Sequence, residues 1–324
     1  MSLLFAFNAL APLLALAALG YFLRRRGIFD EVFIGYLNRY IFLVALPVLI
    51  FQTLSRINDV SMINWGVVWY ATVMINVIAI LGYLILLIIP EKRRIKPVLM
   101  QSFYRGNFII IGIPLAIRLG GIEALSMIVV LNAVLYPLTN LYSIITFQLW
   151  RSDEIESTGF TRDLINSTIK NPLIISFLLG VIVFFFQTEW LWVTTNLAFI
   201  PDTMSLIAVT ATPMAMIAIG GQFKLEQAKE LRSSILIGVF GRLIVTPLLV
   251  FSVALLLNDW IGFEDNWAPM FAIFATPVAV ASVAITKGLN GDDEFASQLV
   301  IWTTALAVFT IFIFVVIFRT FGLL

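Results

Sequence analysis

Of the side chains that most often do chemistry, this 324-residue chain has neither histidine nor cysteine. The common general base, the thiolate nucleophile and most zinc ligands are therefore missing, and with them hydrolytic triads and histidine-bound metal centres. What remains is a set of amides, hydroxyls, guanidinium groups and helix-breaking residues inside apolar sequence. The densest cluster is Arg105-Gly106-Asn107-Phe108-Ile109-Ile110-Ile111-Gly112-Ile113-Pro114. A second, Ala275-Thr276-Pro277, is followed by small residues up to Ser282. In both, small residues loosen a helix and a proline removes a backbone donor and clashes with the preceding turn. A helix interrupted at bilayer depth leaves carbonyls and amides free, and these persist only where protein or a water-filled cavity satisfies them. The half-helix after each proline would offer amides and a positive dipole end, suited to an anion. The half before it would offer carbonyls, suited to a cation or a hydroxyl donor.

The charged and polar groups nearby extend this reading. Arg39, Arg105 and Arg242 lie in apolar stretches with no aspartate or glutamate among them. Arg39 is near enough to the start of its stretch at Glu31 to reach the headgroups by snorkelling. Arg105 sits on the first break, and Arg242 lies between Gly241 and Pro247. Two readings of Arg242 stand open: pairing with carbonyls freed by Pro247 or by the broken helices, or direct field on a substrate. Asn107 and Asn132 are site candidates, whereas Asn140 reads as glue between helices. The hydroxyls of Thr212, Thr276 and Ser282 either bond freed carbonyls or face a ligand. The expected substrate-binding set is Arg105, Gly106, Asn107, Gly112, Pro114, Asn132, Arg242, Thr276 and Pro277, with Pro47 and Pro213 as helix-bending positions. No metal and no cofactor is expected. Gly120-Gly121 and Gly220-Gly221 end helices and form no phosphate loop, so no ATP-driven engine is visible.

Composition says what must position these residues. The chain is 61% hydrophobic and 12% charged, about half the charged fraction of a soluble domain, so the bilayer is its solvent. With a net charge of +1, bulk electrostatics gives no support for a nucleic-acid partner. Ten apolar stretches approach or exceed spanning length: 3–23, 31–54, 62–89, 97–119, 122–149, 171–187, 201–222, 231–257, 266–289 and 294–318. Helices are required there, because a lipid-exposed segment must satisfy its own backbone. The first stretch is not a cleaved signal peptide, since its Arg24-Arg25-Arg26 cluster follows the apolar run. Connections after odd-numbered stretches hold 14 basic residues and the opposite side holds 3. The asymmetry puts the odd-numbered connections in the cytoplasm and both termini outside; the expected location is the plasma (bacterial inner) membrane, as a multi-pass protein.

The prolines also reveal an internal repeat. Pro12 matches Pro172, Pro47 matches Pro213 and Pro114 matches Pro277, at offsets of 160, 166 and 163 residues. Five stretches per half is an odd number, so the second half enters the membrane from the other side, as in secondary transporters built from inverted repeats. The expected fold is an all-α membrane protein of ten transmembrane helices in two inverted five-helix repeats. These occupy residues 1–149 and 171–324, joined by a short cytoplasmic connection at 150–170, with helices 4 and 9 broken.

The stretch from Gly106-Asn107 through Gly112-Ile113-Pro114-Leu115 to Asn132 resembles the auxin efflux carrier family. So do Leu19-Gly20-Tyr21 with the following arginines and Gly27, Leu46-Pro47, and Thr276-Pro277-Val278-Ala279. The resemblance runs from Leu3 to Arg319, and the family falls within the bile/arsenite/riboflavin transporter superfamily. It implies a scaffold domain and a mobile crossover domain, each built from both repeats, and a homodimer through the scaffold. Plant members export auxin, and bacterial relatives are associated with malonate, malate and related acids. The connection at 150–170 is far shorter than the central loop of many plant members. The expected function is a secondary transporter, not an enzyme, that moves mono- or dicarboxylates or auxin-like acids by an elevator-like mechanism. Its partners are the organic anion, membrane lipid and, as candidate coupling ions, H+ or Na+. The alternatives are a sodium-coupled symporter of larger amphipathic acids and a ligand-binding membrane sensor.

Overall fold

The computed structural model describes residues 2–55, 63–150, 170, 172–222, 232–263, 266–289 and 291–324. Most of the predicted 150–170 connection, and the basic residues Lys224 and Lys229, lie outside them. Among the described residues the chain is helical, with a single isolated β-bridge and no named strand. The helices are α1 (Ser2–Arg25), α2 (Glu31–Tyr40), α3 (Leu46–Leu54), α4 (Trp65–Ile88), α5 (Lys96–Tyr104) and α6 (Ile113–Leu149). There follow α7 (Pro172–Phe185), α8 (Gln187–Asn196), α9 (Phe199–Gln222), α10 (Arg232–Phe240), α11 (Thr246–Leu256) and α12 (Asn258–Ile261). The last three are α13 (Trp267–Phe274), α14 (Ala281–Gly288) and α15 (Asp293–Thr320). Among the described residues, six stretches are long and apolar enough to cross a membrane: Glu31–Leu54, Trp65–Ile88, Phe108–Leu149, Phe199–Gly221, Arg232–Leu256 and Asp293–Thr320.

Local chemistry explains where helices start and distort. Asp30, Asn64 and Asp292 cap α2, α4 and α15, their side chains accepting from the amides of Phe33, Val67 and Phe295 at 2.6, 3.1 and 2.9 Å. Three widened π-turns, Ile41–Ala45, Phe108–Gly112 and Gly241–Val245, each run into a helix whose second residue is proline: Pro47, Pro114 and Pro247. A proline cannot donate to the carbonyl four residues back and its ring pushes that carbonyl away, so the turn before it opens. Pro47 follows one of these distortions, and Pro213 lies inside α9. The stretch Phe108–Leu149 covers 42 residues, about 63 Å of helix, or twice the hydrocarbon thickness. Gly121 divides it, with φ 67° and ψ −150°, a conformation open to glycine and strained for other residues. The predicted boundary between 119 and 122 falls there. The helix α8, beyond the end of α7, has no counterpart among the ten predicted stretches.

The helices pack in two groups that meet where α1 lies against α15 and where α1 and α3 touch α6. In one, α1 lies along α9 with backbones in contact: a β-carbon on Gly20 would stand 2.0 Å from the Ile217 carbonyl oxygen, and one on Gly220 1.8 Å from that of Ala17. The α3 helix packs between α7 and α9 in the same group, with Gly180 beneath Leu54. Small residues at such crossings are how helices gain close contact in a lipid solvent. In the second group α13 packs on α6, α5 lies between α4 and α6, and α10 and α14 pack on α15. Every residue of α13 is buried, as are Pro97 to Tyr104 of α5. An aromatic cluster, Phe251 stacked on Phe271 at 5.5 Å and Trp267 edge-on to Phe318 at 5.4 Å, surrounds α13. The two short helices that lead into the breaks are thus the most enclosed pieces of the molecule.

Candidate functional site

The breaks in the two helices meet. Helix α5 ends at Tyr104 and α13 at Phe274, and the extended residues that follow pair as an antiparallel bridge between Gly106 and Val278. The Asn107 amide donates to the Pro277 carbonyl at 2.7 Å, and the Ala279 amide donates to that of Arg105 at 3.1 Å. On the far side of the bridge, the amides of Ile111 and Gly112 donate to the Asn107 carbonyl at 3.2 and 2.9 Å. The Val278 amide finds the Thr303 hydroxyl at 3.2 Å. The amides of Asn107, Ile111, Gly112, Val278 and Ala279 are therefore paired, because the two breaks satisfy part of each other's backbone.

Arg242 reaches the crossover from the π-turn after α10 and is fully buried. Its Nε donates to the Thr276 carbonyl at 2.7 Å, Nη1 to that of Phe103 at 3.1 Å and Nη2 to that of Ile273 at 2.9 Å, with the Thr276 hydroxyl at 3.5 Å. Of the two readings of this residue, the geometry fits pairing with carbonyls freed by the broken helices. Gly106 is required beside it: an added β-carbon would lie 1.8 Å from Arg242 Nη2 and 2.5 Å from Phe108 Cε1. Gly112 allows a second close approach, its missing β-carbon being 2.9 Å from the Ala272 carbonyl oxygen. Thr276 has its carbonyl and hydroxyl on Arg242 and is fully buried. Gly106, Gly112, Thr276 and Arg242 thus build the crossover, and their polar groups point at one another.

Arg105, Asn107 and Asn132 are different. All three are buried, yet Arg105 Nε, Asn107 Nδ2 and Asn132 Oδ1 have no protein partner. Arg105 touches the Ser143 hydroxyl through Nη1 at 3.4 Å and stands 5.7 Å over the Tyr136 ring. Asn132 donates its Nδ2 to the Ile128 carbonyl at 2.9 Å, which fixes the amide so that its oxygen is the atom left over. Arg105 and Asn107 line one cavity of about 30 Å³, closed by Phe42, Tyr136 and Thr139. Asn132 lines a second of about 30 Å³, which shares Ile109 and Tyr136 with the first and is closed by Ile50 and Phe177. Each has room for water and none for an organic acid. Native proteins seldom leave buried donors and acceptors unpaired, so such groups mark places where water or a ligand belongs.

The sequence model of a family described as Membrane transport protein matches residues 5–315 of this chain. The chain belongs to this family. It is a membrane transporter, and the family is one of transporters, not of enzymes. No curated protein matches it.

Among the described residues of the transporter, two larger cavities flank the crossover. One, of about 430 Å³, is almost wholly apolar and lies among α1, α9 and α15, with Ile111 and Pro277 in its wall. The other, of about 540 Å³, lies among α3, α6 and α9; Pro114 and Pro213 line it with Gln52, Thr53, Arg118 and Thr212. Pro114 and Thr212 thus line a different cavity from Arg105, Asn107 and Asn132, whereas Pro277 borders the apolar cavity while its carbonyl holds the Asn107 amide. Arg39 is exposed at the end of α2, as snorkelling requires. Ser282 is buried with its hydroxyl unpaired, next to Ala281 of the first small cavity.

Sequence reasoning missed Tyr136, Thr139 and Ser143. The signal was present: Asn132, Tyr136, Thr139 and Ser143 recur at the spacing of one helical face in the apolar run of α6. Ser143 bridges Arg105 to Gln101, whose Nε2 donates to it at 2.9 Å, and Thr286 donates to Gln101 at 3.3 Å. This buried chain of hydrogen bonds ties α5, α6 and α14 together behind the site. Thr246 and Thr303, which bond the Phe103 carbonyl and the Val278 amide, were likewise unremarked in the sequence.

Proposed function

We propose that the chain is a secondary transporter of small organic anions, mono- or dicarboxylates such as malonate or malate, or auxin-like acids. The observation that carries the reading is the trio of unpaired buried atoms, two donors and one acceptor, on one side of the crossover. Arg105 Nε and Asn107 Nδ2 would donate to a carboxylate, while Asn132 Oδ1 would accept from a hydroxyl or a protonated acid. A charge-assisted hydrogen bond suits an anion, and Arg242 adds a fixed positive field behind it.

In this reading ten spans form two inverted repeats, with the six long apolar helices joined by α1, α7 and the two broken pairs. The first packing group, α1 to α3 with α7 and α9, serves as scaffold; the second carries the crossover. The small cavities are closed by Phe42, Ile50 and Phe177 of the scaffold side. Sliding the crossover group past that wall would open the site to one face and then the other. Both termini would be extracytoplasmic in a bacterial inner membrane, and a homodimer would form through the scaffold. A second reading, a carrier of larger amphipathic acids, is favoured by the apolar cavity of about 430 Å³ beside Pro277. The test is uptake of labelled malonate, malate and an aromatic acid into proteoliposomes. Counts equal to those of empty liposomes for every acid would remove the proposal.

A further inference from the structure

We infer that Arg242 is a built-in cation: its guanidinium fills the place at the crossover that a coupling metal cation would take, so transport needs no Na+. In transporters with broken helices, coupling Na+ is held by unwound carbonyls and by the carbonyl ends of half-helices. Oxygens of that kind converge here. Phe103 supplies one from the last turn of α5, Ile273 one from the last turn of α13, and Thr276 a carbonyl and a hydroxyl from the break itself. The Thr246 hydroxyl lies against the same Phe103 carbonyl at 3.2 Å. These are negative helix ends facing one another, an arrangement that needs positive charge between them.

The guanidinium supplies it. Four contacts from Arg242 cover this oxygen set at 2.7 to 3.5 Å, and the residue is fully buried. The neighbouring backbone is shaped to the side chain, since Gly106 has no β-carbon where Nη2 lies. Among the described residues no aspartate or glutamate is buried, so the carbonyls, not a carboxylate, are what Arg242 neutralises. A cation fixed by a covalent stem cannot dissociate into either compartment and so cannot be co-transported. The inference rests on the transporter reading above, and adds to it that the cation at the crossover never leaves.

The test uses purified full-length protein in detergent and in proteoliposomes. Melting of the wild type should be indifferent to exchange of Na+ for K+ or choline, and malonate uptake should agree within about twofold across the three salts. Arg242→Ala should melt lower and lose uptake by an order of magnitude in choline, and guanidinium or Na+ should restore part of both. Arg242→Lys, which keeps the charge, should melt between the two and stay indifferent to Na+. An order-of-magnitude fall of wild-type uptake without Na+ would overturn the inference. So would Arg242→Lys melting as low as Arg242→Ala, because charge would then not be what the oxygens require. If no acid is taken up by the wild type, the organic-anion reading fails and the melting series alone decides the role of Arg242.

Discussion

Gly106→Ala isolates the most crowded point of the crossover. The added methyl would stand 1.8 Å from Arg242 Nη2 and 2.5 Å from Phe108 Cε1, far inside van der Waals contact, so the guanidinium must leave or the bridge to Val278 must open. Leaving breaks the bonds to the carbonyls of Thr276, Phe103 and Ile273. A hydrogen bond to a charged group contributes about 1.5–3 kcal/mol, and breaking a buried charged cluster costs about 3–5 kcal/mol. The expected loss is therefore about 3 kcal/mol or more, equivalent to a melting temperature lower by roughly 4 °C for a chain of this size. Gly35→Ala is the matched control: it lies within α2, and nothing stands within 4 Å of its missing β-carbon. Removing that glycine should leave melting unchanged or raise stability by up to about 1 kcal/mol. Both variants can be followed by intrinsic tryptophan fluorescence on heating in detergent. If Gly106→Ala melts with the wild type, Arg242 does not tie the crossover and the reasoning fails.

Other outcomes follow from the same geometry. Asn107→Ala should lower uptake of the transported acid by an order of magnitude with little change in melting, because Nδ2 has no partner within the protein; a matching fall in melting would show a structural role instead. Asn132→Asp should weaken anion uptake by placing negative charge where Oδ1 now stands unpaired, read as a rise in half-saturation; unchanged uptake would remove the residue from the site. Asn64→Ala should cost about 1–2 kcal/mol in thermal unfolding, since Asn64 caps α4 at Val67 and also donates to the Gly262 carbonyl at 2.7 Å. Gly220→Leu should prevent α1 and α9 from closing, with its side chain starting 1.8 Å from the Ala17 carbonyl oxygen; a folded, monodisperse product on size exclusion would contradict the close approach.

The sequence was most legible where a single residue type has one dominant physical effect. Hydrophobic stretches placed most helices within a few residues; Pro277 lies in the second break, and Pro114 follows the widened turn just past the first, because proline cannot continue a helix ladder. Side-chain roles were legible only in part. Arg105, Asn107 and Asn132 could be singled out as polar groups in apolar surroundings, and they are brought to adjoining cavities. Arg242 could be read in two ways, since the carbonyls it bonds come from Phe103, Ile273 and Thr276, far away in the chain. The pairing of Asn107 with Pro277 was likewise invisible: which amides stay free depends on how two distant breaks meet.

Arg105 and Arg242 sit on either side of one bridge, and among the described residues no acid is buried to offset them. Positive charge fixed at that depth feels the membrane potential, about 2.3 kcal/mol for each elementary charge moved through 100 mV. Any displacement of this crossover along the membrane normal would therefore do electrical work while empty. A bound dianion would cancel that work. Voltage would then act on the return of the vacant carrier more than on the passage of its cargo.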